Sequence, residues 1–279
     1  MKTKRVIARL DIKNNALVKG IHLEGFRVLG DPASFAKIYY EDGIDEIVYM
    51  DVVASLYERN GLIELIKKTA KEIFIPLTVG GGIRSIDDVA SILAAGADRV
   101  CINTAAVHRP ELITEIVNVY GSSTLVIAVE AIKVNDEYMA FTDNGREHTG
   151  LKVIEWVKKI EELGAGEILL TSVDREGTGR GVDFELIEKV KKSISISLTA
   201  HGGIGCINDV YNTFENHNVD AACIASLFHY NTIQSTSPIN NSIMGNKSFL
   251  LSNKERSGIE TVSVKKLKNE LKEKKIRIR

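Results

Sequence analysis

One stretch of this chain occurs twice, and that repetition constrains the fold more than any single motif. LTVGGGIRSIDDV spans 77–89 and LTAHGGIGCINDV spans 198–210, so Gly82 and Gly203 stand 121 positions apart. DEIVYMD (45–51) matches GEILLTS (166–172) at the same offset, and GADRVCINTAAV (96–107) resembles NVDAACIASLFH (218–229). RLDIK, carrying Asp11, corresponds to AVEAIK, carrying Glu130. Any chain that alternates strands and helices shows some self-similarity. Here glycine loops, acids and strand ends match together, which indicates duplication of a structural unit.

Short apolar runs at 5–11, 46–51, 75–79, 99–103, 125–130, 167–171, 196–200 and 221–225 read as strands. Between them lie amphipathic patterns such as SFAKIYYEDG, IDDVASILAAG and LKVIEWVKKIEELG. Several end at a glycine (Gly43, Gly96, Gly121, Gly164), a common helix stop. This alternation argues for a parallel sheet with helices outside it. Eight such units predict an α/β fold, a (β/α)8 TIM barrel of two duplicated half-barrels, as a single domain over 1–279. The runner-up is an open doubly wound sheet. Residues 231–260, rich in Asn and Ser, read as a loop inserted before the last helix, VKKLKNELKEKK.

The net charge of −1 and pI near 6.6 imply no broad basic surface, so nucleic acid is not an expected partner. No apolar run is long enough to span a membrane, and the N-terminus lacks the apolar segment of a signal peptide. Cys101, Cys206 and Cys223 have no metal-ligand spacing and suit a reducing, cytoplasmic setting.

Barrel chemistry sits on the loops after the C-terminal strand ends. Gly81 and Gly82 lie there, as do Gly202 and Gly203 with His201 before them. Glycine lets the backbone approach an anion, and the helices that follow offer unpaired N–H groups. Asn103-Thr104 and Ala225-Ser226 close the next strand in each half, and DREGTGRG (174–181), with Glu176 and Gly177, adds another glycine-rich loop. The bland alternative is that these glycines only make tight turns. Two symmetric cradles point to a substrate with two anionic ends, a phosphosugar or sugar acid. Asp11 and Glu130 end opposed strands between the cradles and suit a general acid and a general base, or an ion pair closing the barrel top. Arg5, Glu46, Arg99 and Glu167 begin strands and predict a ring of alternating charge at the other mouth, either a structural plug or a passage for a small neutral molecule.

DPASFAKIYYEDGIDEIVYMD, FIPLTVGGGIRS, GADRVCINTAAV, TGLKVIEWVKKIEELGAGEILLTS and DREGT together resemble the cyclase subunit of imidazole glycerol phosphate synthase, from Lys4 to about Tyr230. The resemblance implies a barrel that takes ammonia from a glutaminase partner docked at the N-terminal face. It implies no metal or organic cofactor. Ammonia would enter through the Arg5, Glu46, Arg99, Glu167 ring and attack a phosphoribulosyl-formimino ribonucleotide, giving imidazole glycerol phosphate and an aminoimidazole carboxamide ribonucleotide. Asp11 and Glu130 match the catalytic aspartates, Lys19 a lysine in a flexible loop that closes over substrate, and Asp98 a residue of the glutaminase interface. Departures cluster at the active face: Glu130 and Glu176 replace aspartates, His201 replaces serine, and Arg9 stands where a small residue or cysteine is usual. At the ammonia mouth only Arg99 for lysine differs. The departures suggest a changed acceptor, with Arg9 pairing with Glu130 or binding an acceptor carboxylate. Three readings therefore stand: the histidine-pathway cyclase, a paralogous subunit forming an amidine on a bacterial surface sugar, and a non-catalytic phosphate-binding barrel that activates a glutaminase.

Overall fold

The computed structural model describes residues 3–53, 62–235 and 258–279. Its strands in chain order are β1 (Arg5–Lys13), β2 (Ala16–Ile21), β3 (Glu24–Gly30), β4 (Glu46–Asp51), β5 (Leu77–Gly80), β6 (Arg99–Ile102), β7 (Leu125–Val134), β8 (Glu137–Thr142), β9 (Glu147–Lys152), β10 (Glu167–Ser172), β11 (Ser197–His201) and β12 (Ala221–Ile224). Eight of them, β1, β4, β5, β6, β7, β10, β11 and β12, pair in parallel in that order. The β1–β12 and β7–β10 pairings close the ring, so the sheet is a barrel and not an open doubly wound sheet.

The period-2 pattern of each strand now has two apolar destinations. On β1 Val6, Ala8, Leu10 and Ile12 face outward into the large core under the helices. Ile7 faces inward with Val48, Cys101, Val126, Ala128, Leu169, Ala221 and Cys223, which fill the barrel. The helices α1 (Pro32–Glu41), α2 (Ile63–Ala70), α3 (Ile86–Ala94), α4 (Thr104–His108) and α5 (Glu111–Tyr120) surround the first half. The second half carries α6 (Val153–Glu162), α7 (Phe184–Ser193), α8 (Ile207–Glu215), α9 (Ser226–Ser235) and α10 (Val264–Glu273). Gly43, Gly96, Gly121 and Gly164 all take positive φ, as helix-ending glycines do. No helix among the described residues is long and apolar enough to cross a membrane.

Two features depart from the expected layout. β2–β3 and β8–β9 are antiparallel hairpins that rise from β1 and β7, the two duplicated strands, at the C-terminal mouth. The entries to these hairpins, Asn14-Asn15 and Asn135-Asp136, take left-handed φ, which Asn and Asp tolerate. The expected inserted loop also begins later than 231, because α9 continues to Ser235. The rest of that stretch up to 257 lies outside the described residues. The described chain resumes at Gly258, and Glu260 N–H donates to Gly205 O at 2.7 Å.

Candidate active face and N-terminal ring

At the N-terminal mouth the four expected charges meet. Arg5 Nη1 lies 2.9 Å from Glu46 and Nη2 3.0 Å from Glu167, while Arg99 lies 2.7 Å from Glu167 and 3.8 Å from Glu46. Thr199 Oγ1 donates to Glu167 at 2.5 Å. Burial alone would push the Glu167 carboxyl up, but the guanidinium groups of Arg99 and Arg5 outweigh it and hold the group below its ordinary range. The ring is thus closed by ion pairs and has no net charge. Above it lies the apolar barrel interior, in which burial pushes Cys101 up to about 12 and Cys223 higher still. Both thiols are small, neutral lining groups.

Asp98 sits just before β6 on this same face and is exposed. Its carboxylate accepts the Leu77 N–H at 2.8 Å. Asp45 does the same for Val6 N–H and Asp220 for Leu198 N–H. The Asp before a strand therefore has a repeated backbone role, independent of any partner.

At the opposite mouth the two halves differ. Gly81, Gly82, Asn103, Thr104 and Glu130 line a cavity of about 350 Å³, together with Asp51, Arg84, His108, Arg109, Asp143 and Asn144. Gly81 has φ +104, and a Cβ there would lie 2.4 Å from Asp51 O, so only glycine fits. Thr104 Oγ1 donates to Asp143 and Asn103 Nδ2 to Phe141 O, which ties the cavity wall to the second hairpin. The sequence reading missed Asp51, Asp143 and Asn144. Asp51 lay in a quoted motif, and the other two lie in DNG, a hairpin-turn signal.

The second cradle is packed shut. A Cβ on Gly203 would lie 2.1 Å from Gly181 O, and one on Gly177 would lie 2.7 Å from Gly20 O. Gly202 meets Ser172 O in the same way, and Ala225 and Ser226 are buried. Close backbone packing is common to the glycines of both halves, but Gly202 and Gly203 are buried where Gly81 and Gly82 are partly exposed. The residues that lead into the helices after the glycine loops already have backbone N–H partners. Asp88 accepts from Arg84 and Ser85 N–H at the start of α3, and Asp209 accepts from Gly205 and Cys206 N–H at the start of α8. Both helices after the glycine loops are capped by their own acids.

Arg9, Asp11 and Lys19 are the larger corrections. Arg9 is buried and pairs with Asp11 (Nε to Oδ1, 2.8 Å), not with Glu130. Its Nη1 reaches Thr171 on β10 at 3.4 Å, so the guanidinium crosses the barrel interior from β1. Committed in this way, Arg9 is not presented to an acceptor carboxylate. Burial alone would weaken the Arg9 cation, but Asp11 outweighs it and keeps the group charged. Lys19 is not on a loose loop. It belongs to β2, is buried, and pairs with Glu176 at 2.5 Å.

Pairing with Arg9 would hold Glu130 ionised, but Arg9 pairs with Asp11 instead and the shift on Glu130 has the opposite sign. Burial pushes its carboxyl up to about 7, and the Gly145 N–H (2.8 Å) and Arg9 offset this only in part. Glu176 goes the other way. Burial would raise it, but Lys19, His201 and the Leu23 N–H hold it down to about 2. His201 leaves the expected phosphate loop for the barrel interior. There its Nδ1–H donates to Cys223 O at 2.9 Å, and burial, followed by Arg9, pushes it down to about 3.

A closed barrel with an anion-sized cavity and two buried acids at its C-terminal mouth, and a neutral ring of ion pairs at the other, defines a (β/α)8 protein of the enzyme-bearing kind. Residues 5–234 match the family described as histidine biosynthesis protein, and the chain belongs to that family. It is 53% identical over 210 residues to the imidazole glycerol phosphate synthase subunit HisF of Legionella pneumophila, covering 75% of this chain and 99% of the relative. The HisF subunit of Lactococcus lactis subsp. lactis is 51% identical over 232 residues, with 82% and 90% covered. That of Alkaliphilus metalliredigens is 44% identical over 234 residues, with 84% and 93% covered.

Proposed function

We propose that this chain is the cyclase subunit of an imidazole glycerol phosphate synthase, accepting ammonia from a glutaminase subunit. The observation that carries this reading is the stacking of three layers in one barrel: a closed charge ring, an apolar layer that includes Cys101, Ala128, Ala221 and Cys223, and above it the Arg9–Asp11 pair with Glu130 on the opposed strand. Ammonia is neutral and small, so an apolar interior admits it, while the desolvation cost of a bare ion excludes ammonium. The Arg5, Glu46, Arg99, Glu167 ring is the entry and opens when a side chain swings aside. Imidazole ring closure with loss of the ribonucleotide product needs one group to take protons and another to supply them. Asp11, paired with Arg9, is the carboxylate of the pair. Glu130, whose burial raises its carboxyl to about 7 so that much of it keeps its proton near neutral pH, is the donor. Gly81, Gly82, Asn103 and Thr104 hold one phosphate of the substrate. Lys19 and the Gly202-Gly203 side take the other once that half opens.

The glutaminase docks on the N-terminal face. Phe74, before β5, is 80% exposed and Val119, before β7, is 60% exposed, and both precede strands at the same end of the barrel as Asp98, before β6. Exposed apolar groups at the end of the barrel that carries the charge ring suit a heterodimer interface. The test is turnover of the ribonucleotide by the purified chain near neutral pH, first with excess ammonium salts and then with glutamine and the glutaminase. Growth of a histidine-requiring strain lacking this subunit, when given this gene, is the cellular counterpart. Failure of both would transfer the case to the surface-sugar or non-catalytic readings.

A further inference from the structure

Glu176 makes more contacts with the first hairpin than a substrate ligand would need. One carboxylate oxygen pairs with Lys19 Nζ, which also donates to Gly20 O. The other accepts the Leu23 N–H at 3.0 Å, and Glu176 O accepts the His22 N–H at 3.0 Å. His22 Nδ1 meets Val173 O at 2.8 Å, just upstream on the same loop. Gly177 lies directly under Gly20 and Ile21, with Lys19 Nζ alongside. Glu176 is 1% exposed, so it reaches no solvent or open cavity.

The hairpin tip explains why so many contacts are needed. His22 and Leu23 connect β2 to β3 with φ +55 and +59, a left-handed pair that suits Asn and Gly. Leucine is a poor residue there. The duplicated hairpin offers a comparison within the same molecule, since its tip uses Asp143, Asn144 and Gly145 for the same kind of turn. The first tip is thus disfavoured by its own sequence and is held by an external acceptor.

We propose that Glu176 is a positioning residue, a latch that holds Lys19 and the β2–β3 hairpin shut over the second cradle until a substrate phosphate takes Lys19 from it. This rests on the reading of Lys19 as an anion ligand. The exchange is chemically matched, because a phosphate dianion offers Lys19 the same charge-assisted acceptors that the carboxylate does. The latch is not a pH switch, since Glu176 stays ionised down to about pH 2. Only a competing anion, or loss of the carboxylate charge, opens it.

Inorganic phosphate tests this without any assumption about the acceptor. If the latch is shut roughly nine-tenths of the time, apparent anion affinity is reduced about tenfold. Glu176→Gln should therefore bind phosphate about tenfold more tightly by calorimetry, although a buried ion pair has been lost. Exchange of the His22 and Leu23 amide hydrogens should accelerate in the same variant. Adding Lys19→Met should abolish the tightening. Should Glu176→Gln not fold, Glu176→Asp, one methylene shorter, should give a smaller tightening in the same direction. Phosphate binding that is unchanged or weaker in the single variant, or tightening that survives Lys19→Met, overturns the latch. Tightening in a chain that does not turn over the ribonucleotide would leave the latch standing and remove the functional reading instead.

Discussion

Replacing Glu130 by glutamine should stabilise the protein, and only at the upper end of the pH range. Burial raises this carboxyl from its ordinary 4.5 to about 7 in the folded chain. Between those values the native state holds a proton that the unfolded chain has released, so stability falls as pH rises. Below about 4.5 both states are protonated and the group costs nothing. Above about 7 both are ionised and the full desolvation cost is present. At 1.36 kcal/mol per pKa unit, that plateau is about 3 kcal/mol. Glutamine keeps the shape and can still accept the Gly145 N–H, but has no charge to bury. Isothermal urea denaturation of the parent and Glu130→Gln, compared between about pH 5 and pH 9, should give curves that meet at acid pH and diverge through neutrality. In the parent enzyme the same proton should appear in the rate, with kcat/KM falling about tenfold per pH unit above neutrality. A stability difference that does not change with pH would mean that Glu130 is ionised in the fold, and its assignment as proton donor would then be wrong.

Other expectations follow from the ion pairs. Arg9→Met strands the Asp11 charge in the interior and should cost about 3–5 kcal/mol, most of it recovered in Arg9→Met/Asp11→Asn; denaturation of the two variants reads this, and a single-variant loss under about 1 kcal/mol would contradict the pairing. Glu167→Gln removes the charge of one of the two acids shared by Arg5 and Arg99, so glutamine-dependent turnover should fall while turnover with free ammonia persists, measured side by side in the complex. Asp98→Ala should lower the stability of the isolated chain by ~1 kcal/mol through the lost acceptor for Leu77 N–H, whether or not a glutaminase is present. Phe74→Ser should leave the Tm of the isolated chain unchanged, because Phe74 is exposed, and should weaken glutaminase binding in a titration if the proposed docking face is the interface.

The repeat at offset 121 and the β/α alternation were sufficient to predict the barrel, its two halves and which strand ends face each other. The reason is local. Strand runs, helix-ending glycines and inward alternation are properties of neighbouring residues, and each element follows its own period. The ring was legible for the same reason, since Arg5, Glu46, Arg99 and Glu167 all begin strands of one parallel barrel. The hairpins carried a readable signal in Asn14-Asn15 and Asn135-Asp136 that strand-counting passes over.

What the sequence could not decide was which charge meets which. Duplication makes the two halves look equivalent, yet one cradle is a cavity and the other is closed by Gly177, Gly181 and the first hairpin. Arg9 lies inward on β1 within reach of several acids, and only the packed interior settles that Asp11 receives it while Glu130 is left to desolvation. Lys19 and Glu176 are 157 residues apart and belong to different halves. Local residue pattern determines where an inward side chain sits on its strand. The partner it finds, and hence its charge state, depends on distances across the barrel that exist only once the ring has closed.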